Sequence, residues 1–174
     1  MINLKGNHEQ TMLDALSGDR AAGTDWLFQG GRPALESYGA DPDGPRERWE
    51  DAVPAEHLRF LRRLAMSHRE GGYLFVHAGI RPGVPLDAQA PEDLLRIRQP
   101  FLYTDQSFGA VVVHGHTPND AQARPSHADQ IRRFRLNLDA GSGLTGLAKM
   151  AVIRGDEAKV LTALGPTNRM LKEE

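Results

Sequence analysis

Tyr73-Leu74-Phe75-Val76-His77-Ala78-Gly79 is a run of four apolar residues that stops abruptly at a histidine and a glycine. A run this short, aromatic or branched throughout and bounded by glycine, reads as a buried strand rather than a helix. The pattern recurs twice downstream. Ala110 to Val113 runs into His114-Gly115-His116-Thr117-Pro118, and Arg135 to Leu138 runs into Asp139-Ala140-Gly141. Strands that deliver polar side chains at their carboxyl ends into glycine-bearing loops are the usual site architecture of α/β proteins. Residues 73–141 therefore predict an α/β fold.

Working outward, Ala148 to Ile153 and Lys159 to Leu164 flank Gly155-Asp156 and predict a hairpin. Residues 1–165 are read as one domain, and residues 166–174 as a frayed tail. Upstream, Pro54 to Ala65 predicts a helix with Pro54 in its first turn and Leu58, Leu61 and Leu64 at helical spacing. Arg59, Arg62, Arg63 and Arg69 read as a solvated face rather than a phosphate or RNA patch. Glu9 to Leu16 predicts a second helix, with Leu13 and Leu16 on one face and Gly18 as its stop. Ile2-Asn3-Leu4 reads as the tail of a buried strand. Trp26-Leu27-Phe28 starts an apolar patch that Gly30-Gly31 interrupts, and Asp41 to Pro45 is a turn-rich loop.

Composition narrows the function classes. A formal net charge of -2 gives no field that would draw the chain to nucleic acid or an acidic membrane. No apolar run approaches the length needed to cross a bilayer, and the amino terminus lacks the regions of a secretion signal, so a cytoplasmic protein is expected. With no cysteine, any metal must be held by nitrogen and oxygen donors. Asn7, His8, His77, His114 and His116 all fall at or just after the ends of apolar runs, where such donors are needed. Each alone is more often a hydrogen-bonded structural group than a ligand. The shared order of strand, histidine and glycine is what raises them together.

Four segments carry a resemblance. Lys5-Gly6-Asn7-His8-Glu9, Phe75-Val76-His77-Ala78-Gly79-Ile80, Val113-His114-Gly115-His116-Thr117-Pro118 and Asn137-Leu138-Asp139-Ala140-Gly141 stand in the order of late motifs of calcineurin-like metallophosphoesterases. They are most similar to the phosphoprotein phosphatase branch, bacterial serine/threonine phosphatases in particular, with Ala140 where threonine is usual. The resemblance implies a four-layer α/β sandwich of two mixed sheets flanked by helices. It implies two divalent metal ions (manganese, iron or zinc) in a complete domain, with Asn7, His77 and His116 on one of them. His8 would be the general acid that protonates the leaving oxygen. Arg98, two residues after an arginine (Arg96) where the family often has tryptophan, would grip the phosphate. His114 would support the site or pack beneath it rather than ligate.

The chemistry suits those residues. Neutral ligands leave a metal's charge undiminished, an imidazolium can donate a proton near neutral pH, and a guanidinium can fork two phosphoryl oxygens. The family's two earlier motifs, which carry the other metal ligands, are not found in these residues. The expectation is a fragment of a longer gene that lacks the N-terminal strands, holds at most one metal weakly and self-associates through an uncovered sheet edge. The expected substrate is a phosphoprotein or another phosphate ester. A diadenosine tetraphosphate hydrolase and a non-catalytic degenerate module are the alternatives. A single-zinc hydrolase built from His77, His114 and His116 is disfavoured, since no His-Glu-x-x-His is present.

Overall fold

The computed structural model describes residues 1–118 and 131–165, so residues 119–130 and the expected tail at 166–174 lie outside the described residues. The chain divides into two compact units, Met1–Met66 and Ser67–Glu174.

The first unit is helical. Helix α1 spans Asn7–Leu16, α2 Arg20–Trp26, α3 Arg32–Ser37, α4 Trp49–Ala52 and α5 Ala55–Arg63. Helix α1 starts two residues before the expected Glu9, because Glu9 itself is the third helical residue. Its carboxylate accepts the Gly6 amide proton at 2.8 Å and satisfies a donor that the helix start would otherwise leave open. Helix α5 ends at Arg63 rather than Ala65, and Pro54 is its cap rather than its first turn. Ala65 is drawn into a parallel bridge with Leu4, donating to Asn3 O at 3.0 Å and accepting from Lys5 N at 2.8 Å. That bridge is all that forms from the expected buried strand at Ile2-Asn3-Leu4, and Ile2 is exposed.

Met12, Ala15, Leu16, Trp26, Leu35, Trp49, Val53 and Leu58 make this unit's core. Trp26 and Trp49 meet edge to face at 6.1 Å. Gly31 lets the chain pass Trp26, since a Cβ there would lie 2.5 Å from the indole. The apolar patch predicted at Trp26-Leu27-Phe28 divides between two faces, with Trp26 buried and Phe28 exposed, and the chain kinks only after it, at Gln29 and Gly30. The segment between Gly30 and Pro54, in which Asp41 to Pro45 is the expected loop, contains α3, a 3-10 turn at Arg46–Arg48 and α4.

The second unit is built on a five-stranded sheet of order β1-β2-β3-β5-β4. The strands are β1 Ser67–Glu70, β2 Tyr73–Val76, β3 Val111–His114, β4 Ile131–Arg132 and β5 Arg135–Asn137. The central β2, β3 and β5 run parallel, and the edges β1 and β4 are antiparallel. Strands β6 (Leu147–Arg154) and β7 (Glu157–Leu164) form the expected hairpin, which is the second sheet among the described residues.

Side-chain alternation along a strand assigns the faces. Tyr73, Phe75, Val113 and Leu136 point to the hairpin and pack on Ala151, Ile153, Ala158 and Val160. The neighbouring positions His114 and Arg135 point the other way, onto Phe101 in the segment that follows helix α6 (Pro91–Arg96). Two sheets face to face, with a helical segment over the far face of one, are layers of the expected α/β sandwich. Arg59, Arg62, Arg63 and Arg69 are exposed as expected, and Arg62 pairs with Glu50 at 2.6 Å. Among the described residues, no helix is long and apolar enough to cross a membrane.

Candidate functional site

Because β2, β3 and β5 are parallel, their carboxyl ends lie together, and each ends in one of the segments singled out above. The ladder continues past the strands: Gly115 N donates to His77 O at 2.9 Å, and Leu138 N to His114 O at 2.8 Å. His77, His116 and Asp139 are thereby delivered to one end of the sheet. His77 Nε2 and His116 Nδ1 face each other at 3.3 Å. Their rings are 5.1 Å apart and tilted by 59°.

His116 owes its direction to unusual backbone. Its φ is +66°, and Thr117 N donates back to Gly115 O at 2.8 Å, so His116 is the centre of a tight three-residue turn. A non-glycine residue there costs on the order of 1–3 kcal/mol and persists only where its surroundings enforce it. Its imidazole pKa is pushed down to about 4, by burial first and then by His77, Arg98 and Arg96, against an opposing pull from Asp139. The ring is therefore neutral at pH 7, the form that ligates. Arg98 and Arg96 thus act on His116 through their charge. Arg98 is exposed, while Arg96 contacts Glu92 at 3.3 Å.

His114 has another surrounding. Its ring is buried, stands edge-on to Phe101 at 4.9 Å, and has Nδ1 3.2 Å from Gly115 O. Burial lowers its pKa to about 4, with Arg135 and His116 adding to the effect and Gly115 O and Asp139 opposing it. An unfolded chain takes up this proton near 6.5 and the folded chain only near 4, so this contribution to stability is full above about pH 6.5. It is lost as pH falls towards 4, a loss on the order of 3 kcal/mol. Urea unfolding at pH 7 and pH 4.5 should show a larger drop in the wild type than in His114→Gln. Equal drops would refute the assignment.

Asn7 and His8 belong to the first unit, where they open α1. Asn7 is buried, with its carbonyl accepting from Thr11 Oγ1 at 2.8 Å, and His8 is exposed. Sequence reasoning did not give Asp139 a role. Its carboxylate accepts from Gly141 N at 2.7 Å, and it acts electrostatically on His114, His116 and Lys149. Lys149, on the inward face of β6, was also missed. Nothing in the β6 alternation marks a lysine as facing a site.

The residues of the second unit fit part of a metal shell. Two imidazole nitrogens on one tetrahedral ion, each at about 2.0–2.1 Å, are about 3.3–3.4 Å apart, and His77 and His116 show that separation. Thr117 Oγ1, next along the chain, is buried without a hydrogen-bond partner, as suits a hydroxyl whose partner comes with a bound group. Among the described residues, no three His, Asp or Glu side chains gather to hold an ion by themselves.

No protein-family model matches the chain, and no curated protein does. Among solved structures, it is similar to a crystal structure of a protein provisionally described as a diadenosine tetraphosphatase. The identity is 17% and the TM-score 0.62, over 96% of this chain and 69% of that one. At that identity the likeness is one of fold alone, and the fold the two share is a mixed α/β one.

Proposed function

We propose that this chain carries the metal-binding and phosphate-binding side chains of a phosphoric ester hydrolase. The observation that carries the reading is the His77 Nε2–His116 Nδ1 approach of 3.3 Å at the carboxyl ends of parallel strands, within the electrostatic reach of Arg98. His77 and His116 would hold a divalent cation. Such ions supply positive charge to the phosphoryl oxygens and acidify water at neutral pH. Arg98 would bind two phosphoryl oxygens in a fork, which its exposure permits. Asn7 as a further ligand and His8 as the acid that protonates the leaving oxygen rest on their motif.

The resemblance to bacterial serine/threonine phosphatases suggests a phosphoserine or phosphothreonine protein as substrate. A dinucleoside polyphosphate is a second reading, favoured by the description of the solved structure of like fold. Manganese-dependent hydrolysis of p-nitrophenyl phosphate, beside His8→Ala, tests the reaction class. The variant is expected to retain no more than about a hundredth of the rate, within the range that general acid catalysis contributes. Equal rates would remove His8 from the mechanism, and no hydrolysis by the wild type with any of manganese, iron or zinc would sink the enzyme reading for this chain. Phosphopeptide and diadenosine tetraphosphate, assayed side by side, separate the two substrates.

A further inference from the structure

We propose that Asn137 is a positioning residue, which aims the His116 imidazole at His77 by tying the His116 turn to strand β5. The inference rests on the reading of His77 and His116 as a metal pair. The turn at His116 has a left-handed φ of +66°, a conformation that histidine does not prefer and that local bonds must hold. Its own bond, Thr117 N to Gly115 O, closes the turn, and Gly115 N to His77 O ties its first residue to the end of β2, but neither bond holds its far side to the sheet.

Asn137 provides that tie. It is 6% exposed and sits in register beside His114, the last residue of β3. Its Nδ2 donates to Thr117 O at 3.0 Å, and its Oδ1 accepts from Asp139 N at 2.8 Å. The two bonds fix the orientation of the amide, because reversing it would set oxygen against oxygen and N–H against N–H. One buried side chain thus clamps the carboxyl-terminal loops of β3 and β5 together, one residue past His116 and two before Asp139. An aliphatic residue would fill the space and leave both backbone groups unpaired. A carboxylate would keep the acceptor and lose the donor.

The alternative is that Asn137 only satisfies buried loop backbone, with no bearing on where His116 points. The first measurement needs no metal: the through-space proton contact between the His77 and His116 rings in the isolated protein, by nuclear magnetic resonance. It should be present in the wild type, persist in a core control of β3 (Val112→Ala), and disappear in Asn137→Ala. Asn137→Asp, which keeps the acceptor for Asp139 N and sets a carboxylate oxygen in place of the donor to Thr117, should lose it too, and it guards against an alanine variant that fails to fold. The second measurement is zinc affinity by competition titration. Asn137→Ala should bind about 10–100-fold more weakly than wild type, the usual cost of losing a residue that orients a ligand. In a His116→Ala background the same change should cost nothing further, because the side chain it positions is gone.

A ring contact that survives in both Asn137 variants would overturn the proposal. So would an affinity loss that Val112→Ala reproduces. A wild type that binds no zinc while the ring contact still depends on Asn137 would refute the metal reading and leave the positioning role standing.

Discussion

Gly79→Ala is expected to lower stability by about 3 kcal/mol, at the upper end of what overpacking a core costs. For a chain of this size that is a fall of about 6–12 °C in the thermal midpoint. The added Cβ would lie 2.3 Å from Phe101 Cδ1, 2.5 Å from Cε1 and 2.9 Å from Ile97 Cγ2. None of these can yield cheaply. Phe101 has no exposed surface, packs edge-on to His114, and has its carbonyl held by the buried Arg135 at 2.7 Å. Ile97 is buried between Arg96 and Arg98. A shift of this segment would therefore move Arg96 and Arg98, whose charges act on His116, as well as the core.

The matched control is Gly72→Ala, where a Cβ meets nothing within 4 Å and φ is not positive. Circular dichroism melts should separate the two variants clearly. Gly79→Ala/Phe101→Leu, which removes the colliding ring atoms, should recover part of the loss. Identical midpoints for the two single variants would show that the segment yields, contrary to its burial.

The second large effect concerns His77. Replacing it with alanine should weaken zinc or manganese binding by more than about 100-fold, since losing a ligand costs at least as much as losing its supporting partner. Any metal-dependent hydrolysis should fall by a similar factor or more. His114→Gln, one strand over, should leave metal affinity within about threefold, because that ring is turned to Phe101 rather than to the His77–His116 pair. Calorimetric titration of the three proteins decides the matter. If His114→Gln weakened binding as much as His77→Ala, the two histidines would be acting as one cluster, and the separation drawn here would fail.

Strands β2 and β3 were legible because each is a short apolar run closed by a polar residue and a glycine, which is local information; β5, Arg135-Leu136-Asn137, was legible mainly by the Asp139-Ala140-Gly141 that follows it. The helix limits were less so. Nothing near Ala65 in sequence reveals that it bonds to Asn3 and Lys5 some sixty residues away, yet that bridge is what stops α5 early. Nor does Ile2-Asn3-Leu4 reveal that it finds one bridging residue rather than a sheet. In the site, His77 and His116 were visible as residue types that suit a metal. Asp139 and Asn137 were not, since each acts through neighbours on another strand.

Residue type and spacing alone determined the α/β class, the strand ends, the hairpin about Gly155-Asp156 and the absence of thiolate donors. Those features depend on a residue and a few neighbours, where side-chain shape and hydropathy act directly. Only the tertiary structure decided that His77 meets His116 while His114 turns to Phe101, and that Asn137 clasps the turn between them. Such choices depend on which strands become neighbours and in what register. A shift of one residue along a strand sends every side chain to the opposite face, so the chemistry at the strand ends is settled by pairing between segments distant in the chain.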